Sequence, residues 1–130
     1  MTAKNIIDLD DTNWGKTVEK SKKPVFVMFY TNTCPYCKQM EPIFQKYSDE
    51  FKKKVVFGKI NLENSPTITS RYAIMGTPTF KFFCNGNPIK EITGAISPTV
   101  LKKTVEDSLQ NGPLCMGKTT WIEPMDPGYS

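Results

Sequence analysis

The chain contains no histidine. That single absence removes Ser-His and Cys-His catalytic pairs and the imidazole ligands common in protein metal sites. Long apolar runs are missing too. The longest, Val25 to Tyr30, falls far short of a signal-peptide core or a membrane span, so a cytosolic protein that engages no membrane is expected. Charge of one sign is in small surplus: 17 Lys and Arg against 13 Asp and Glu, a net +4. The one compact basic run, Lys52-Lys53-Lys54, reads as a solvated helix end rather than a nucleic-acid patch. No internal repeat and no low-complexity tract occurs. Hydrophobic residues at 38% and charged residues at 23% describe a globular body, and 130 residues suit one domain with one core.

Cysteine is scarce, but two of the four are separated by only two residues. Thr33-Cys34-Pro35-Tyr36-Cys37-Lys38 follows the apolar run at Val25–Tyr30 and opens a helix-patterned stretch from Pro35 to Phe51. A C-x-x-C at the junction of a strand and a helix is a redox arrangement with a physical basis. The helix N-terminus offers unpaired N–H groups and a positive dipole end. Both favour a thiolate at Cys34, and the thiolate is the nucleophile of disulfide exchange. Pro35 falls at a first-turn position, where its missing N–H costs nothing. Cys37, one turn on, lies close enough to close a ring with Cys34. The competing use of such a pair is half of a zinc site. Those sites take about four ligands, and Cys84 and Cys115 form no second C-x-x-C, so no metal is expected. Cys84 and Cys115 are themselves expected to be unpaired thiols, because a reducing cytosol disfavours structural bridges.

Along the chain, Ile6-Ile7-Asp8-Leu9 reads as a short strand, and Asp10-Asp11-Thr12 offers caps for a helix from about Asn13 to Lys20. Val25 to Tyr30 is apolar without alternation, which predicts a strand buried on both faces. Met40, Ile43, Phe44, Tyr47 and Phe51 make a helical stripe, with Pro42 placed to kink it. Val55 to Asn61 is the next strand. Ser65-Pro66 and Ser97-Pro98 each pair an N-cap with a first-turn proline, predicting helices to about Tyr72 and Gln110. The second of these has Val100, Leu101, Val105 and Leu109 as its buried stripe. Between them Thr79 to Cys84 is a strand, Asn85-Gly86 a hairpin turn, and Lys90 to Thr93 the returning strand. The order is βαβαβαββα. It predicts an α/β fold whose mixed sheet, parallel early and antiparallel late, has helices on both faces. Residues 1–110 form this domain, and 111–130 a C-terminal tail without periodicity.

Over about residues 5 to 110 the chain resembles the thioredoxin family. The features that carry the resemblance are Cys34-Pro35-Tyr36-Cys37-Lys38 after the second strand, Pro42 in the following helix, Lys59 and Asn61 in the third strand, Tyr72 to Thr79 with its Gly76-Thr77-Pro78-Thr79, and the hairpin Asn85-Gly86 with Thr93-Gly94-Ala95 after it. The resemblance implies the thioredoxin fold and a protein disulfide oxidoreductase. Cys34 would be the attacking thiolate and Cys37 the resolving thiol. Pro78 would be the family's cis-proline, with Thr77 presenting backbone groups to an extended substrate. Pro35, Tyr36, Met75 and Gly94 would line the binding surface, and Lys59 and Thr33 would support it. The redox-active cysteines would need no cofactor. The partners implied are protein disulfides and a thioredoxin reductase or comparable electron donor, with the chain a monomer in the cytoplasm.

Four departures stand out. Pro35-Tyr36 is the dipeptide typical of glutaredoxins, not the Gly-Pro of thioredoxins. Thr33 replaces a tryptophan, Met28 a buried aspartate, and Met75 a residue often charged. Two alternatives follow: glutathione-dependent thiol transfer in the manner of a glutaredoxin, and a non-catalytic module that docks partners through its tail. The Gly94-Ala95-Ile96 turn lacks the glutathione-binding pattern of glutaredoxins, which leaves a thioredoxin body with a glutaredoxin dipeptide.

Overall fold

In a computed structural model, residues 5–110 are described. The expectations for the tail, including that for Cys115, lie outside the described residues. Five strands form one sheet: β1 (Ile6–Leu9), β2 (Val25–Tyr30), β3 (Val56–Asn61), β4 (Thr79–Cys84) and β5 (Asn87–Thr93). Their spatial order is β1-β3-β2-β4-β5. β3 runs parallel to both β1 and β2, whereas β4 runs antiparallel to β2 and β5. Three α-helices, α1 (Pro35–Glu50), α2 (Pro66–Arg71) and α3 (Pro98–Gln110), accompany a π-helical segment at Gly15–Glu19 and a 3-10 turn at Leu62–Asn64. The sheet is therefore mixed and flanked by helices, as the element order implied.

β2 sits at the centre because its sequence has no polar face to offer water. Phe26 and Met28 point to one side, where they pack with Phe44, Tyr47, Phe57, Phe80, Leu101 and Val105. Val25, Val27 and Phe29 point to the other and meet Leu9, Trp14, Val18, Ile60, Ile68 and Phe83. Successive strand residues alternate between faces, so an unbroken apolar run must be covered on both. α1 and α3 cover the first face; α2 and the π-helical segment cover the second. α1 continues through Pro42, although that residue has no N–H for the preceding turn.

Several local expectations need correction. Ser65 does not cap α2 through its side chain. Asp11 does so from a distant loop, accepting from the Thr67 and Ile68 N–H groups at 3.3 and 3.1 Å. Ser97 caps α3 as expected, through the Val100 N–H at 3.2 Å. Val100 itself is exposed, not part of the buried stripe. Thr104 and Ser108 take places on the buried face instead, beside Leu101 and Val105, and Thr104 returns its hydroxyl to the Val100 carbonyl at 2.9 Å. β5 begins at Asn87, three residues earlier than the sequence suggests. Asn85 and Gly86 both have positive φ, 55° and 84°, which is the tight two-residue turn that lets a strand restart at once. Finally, Cys84 is disulfide-bonded, where an unpaired thiol was expected.

Candidate active site

The end of β2 and the start of α1 place the two cysteines. Tyr30 closes the strand, a short loop follows, and Cys34 stands as the N-cap residue of α1 in extended conformation. Its sulfur accepts the Cys37 backbone N–H at 3.1 Å, and its carbonyl accepts the Lys38 N–H at 3.3 Å. The first turn of the helix thus points its otherwise unpaired donors at one sulfur. Both cysteines are free thiols and both are buried, Cys34 at 8% and Cys37 at 4% exposure.

The two thiols are pushed in opposite directions. For Cys34, burial works against the thiolate, but hydrogen bonds from the Cys37 side chain, from Thr77 and from the backbone N–H groups of Cys37 and Tyr36 outweigh it. Its pKa falls below the ordinary thiol value. For Cys37, burial is the largest influence and raises the pKa, helped by the Cys34 side chain, to about 11. The environment thus separates a nucleophile from a reserve thiol. Alkylation by iodoacetamide, followed by mass spectrometry of each cysteine against pH, should show Cys34 reacting with a midpoint below that of an ordinary thiol. Cys37 should lag until far higher pH. One shared midpoint for both would contradict this assignment.

Thr77 lies beside the pair, where its side chain favours the thiolate of both cysteines. The Thr77–Pro78 peptide bond is cis. Pro78 is buried, and its carbonyl accepts the Gly94 N–H at 2.7 Å, which ties the loop after β5 to the site. Gly94 has φ 103°, a conformation glycine adopts without penalty. Thr79 anchors the same loop, its hydroxyl donating to the Gly76 carbonyl at 2.6 Å. Pro35 and Tyr36 open α1, with Tyr36 55% exposed. Met75, at 94%, is the most exposed of the large hydrophobic side chains described. Thr33 is exposed in the loop before Cys34. Lys59 lies on β3 opposite Met28. The structure therefore brings Cys34, Cys37, Tyr36, Thr77, Pro78 and Gly94 together; Thr33 and Met75 border that group along the chain.

Two features escaped the sequence. The side chain of Thr77, for which only a backbone role was expected, lowers the pKa of both thiols. Tyr30 also borders the site: its ring lies 5.6 Å from Lys59 Nζ, and burial is the largest of the influences that raise its pKa. Its position just before the C-x-x-C loop was the available signal. Among the described residues no group of three His, Cys, Asp or Glu side chains is placed to hold a metal ion.

A C-x-x-C at the head of α1, facing a cis-proline loop on a five-stranded mixed sheet, defines the class of thioredoxin-fold proteins. A family model described as Thioredoxin matches residues 5–107, and the chain belongs to the thioredoxin family. Among its relatives, Thioredoxin Y, chloroplastic, of Oryza sativa subsp. japonica is 36% identical over 76% of this chain and 59% of that protein. Thioredoxin Y1, chloroplastic, of Arabidopsis thaliana is 38% identical over 72% of this chain and 54% of its own. Thioredoxin of Buchnera aphidicola subsp. Acyrthosiphon pisum (strain APS) is 34% identical over 80% of this chain and 96% of that protein. The chain thus spans little more than half the length of these two chloroplastic relatives and nearly all of the bacterial one.

Proposed function

We propose that the chain is a protein disulfide oxidoreductase that works by dithiol–disulfide exchange through Cys34 and Cys37. The observation that carries this reading is the placement of two free thiols at one helix start beside the cis Thr77–Pro78 bond, with the Cys34 sulfur accepting the Cys37 N–H at 3.1 Å. Cys34 Sγ attacks one sulfur of a substrate disulfide and the other leaves, giving a mixed disulfide. Cys37 then attacks Cys34, releases the reduced substrate and leaves a Cys34–Cys37 bridge. The dithiol itself carries the electron pair, so the reaction requires no cofactor. Exposed Tyr36 and Met75 give the rim little charge, which suits extended segments of many proteins, paired along the Thr77 backbone.

A reductase of the thioredoxin-reductase kind is the proposed donor, and a monomer the proposed form. The cytosol is the simplest compartment that keeps the pair reduced. Cys84, 6% exposed, would hold its bond there because exchange needs access to the sulfur. The test is insulin reduction with a thioredoxin reductase, run beside reduction with glutathione and its reductase. Turnover with the first and not the second is expected. The reverse would establish the glutaredoxin-like alternative, and inactivity in both would leave a binding module.

A further inference from the structure

Attack by Cys37 requires that its thiol lose a proton, and its buried setting opposes that. Some group must accept the proton. The groups around this corner come from every element packed there. Thr77 supplies a hydroxyl. β2 supplies Tyr30, whose own pKa is raised, chiefly by burial, so that it stays neutral. β3 supplies Lys59 and β1 supplies Asp8, paired in one register row with Met28. α1 supplies Glu41, one turn beyond Cys37 on the same face of the helix.

Only two of these are carboxylates. Asp8 sits two strands away from β2, on β1 at the edge of the sheet. Glu41 is joined to Lys59, 3.6 Å from Glu41 Oε2 to Nζ, and Lys59 in turn lies 5.6 Å from the centre of the Tyr30 ring. The half-exposed carboxylate of Glu41, one helical turn beyond Cys37, is thus tied to a lysine of the sheet. Met28, the register partner of Lys59, is fully buried and offers no proton acceptor of its own.

We propose that Glu41, held by Lys59, accepts the Cys37 proton across one water when the mixed disulfide is resolved. This rests on the exchange reading above. In the step, the Cys37–Cys34 S–S bond forms and the Cys34–substrate S–S bond breaks. The electron pair of the broken bond leaves on the substrate sulfur. The proton passes from Cys37 to Glu41 and then to solvent or to the departing thiolate. The dithiol is oxidised by two electrons and the substrate disulfide is reduced by two.

The sign of the effect separates this role from a merely electrostatic one. A negative charge near Cys37 that took no proton would oppose thiolate formation, and its removal would free Lys59 to assist. Glu41→Gln would then speed resolution. As the acceptor, Glu41 has the opposite effect. The experiment is stopped-flow reaction of the reduced protein with dithiobis(nitrobenzoate), which releases one coloured thiolate when Cys34 attacks and a second when Cys37 resolves. Glu41→Gln should leave the first phase unchanged, which also shows that this half-exposed position tolerates the change. The second phase should slow at least about a hundredfold at neutral pH, the low side of what a positioned general base contributes. It should then recover as rising pH lets hydroxide do the work. A second phase unchanged or faster in Glu41→Gln would overturn the proposal. Loss of the first phase in the unaltered protein would instead sink the exchange reading, and this proposal with it.

Discussion

Cys37→Ser is expected to accumulate covalent complexes with disulfide-containing proteins, whereas Cys34→Ser accumulates few, and neither variant reduces insulin above background. The two cysteines share one helical turn but differ in what acts on each sulfur. At Cys34 burial is outweighed by hydrogen bonds that gather on the sulfur and lower its pKa, whereas burial is the largest influence on Cys37 and raises its pKa. With Cys37 replaced, the mixed disulfide on Cys34 has no resolving thiol and persists. With Cys34 replaced, the remaining thiol has a pKa raised by burial and is slow to attack. Its pKa should also drop somewhat from about 11, since the Cys34 side chain is one of the groups that raise it. Non-reducing gels of affinity-purified variants from a lysate read this directly. Equal trapping by both would reverse the role assignment.

The second large effect is on stability. Phe26→Ala should destabilise the fold by about 3–5 kcal/mol, the cost typical of truncating a fully buried phenylalanine. Phe26 is 1% exposed. Its ring lies 5.7 Å from Phe44 and Phe57, 5.8 Å from Phe82 and 5.9 Å from Phe80, centroid to centroid. Such pairs add to the area they bury, and close-packed rings from two strands and a helix cannot all collapse into the space left behind. A thermal midpoint lowered by more than about 10 °C is the corresponding reading for a domain of this size. A shift of only a degree or two in thermal or urea unfolding would mean that the neighbouring rings refill the hole.

Legibility in the sequence followed the range of the interactions. β1, β2 and β4 were readable to the residue because apolar runs and turn residues are local signals. The Cys34–Cys37 pair was readable for the same reason: strand, C-x-x-C and helix stripe adjoin. Harder were features made by residues far apart. Asp11 caps α2 across more than fifty residues, and no pattern within Ser65-Pro66 reveals that the local serine is passed over. Buried Lys81 in β4 was read simply as part of a strand. It is accommodated by Glu91 on β5 at 2.6 Å and by the Tyr72 ring, partners that only the folded sheet provides. Val100 was misplaced because the helical stripe admits either of two adjacent residues, and packing on α1 chose Leu101. The bond at Cys84 was missed because the expectation rested on compartment, which is a weaker guide than geometry.

The strand order has a bearing on how the chain is made. Among the described residues β1 pairs only with β3, and β2 has β3 and β4 as its neighbours. Nothing within the first fifty residues completes a pair of strands. A polypeptide emerging from the ribosome must therefore carry β1, β2 and both active-site cysteines into the cell before the partner of either strand exists. During that interval the C-x-x-C stands on an unfinished scaffold, without the Thr77 loop that later flanks it. The thiols are available to the surrounding redox buffer before the protein can control their chemistry.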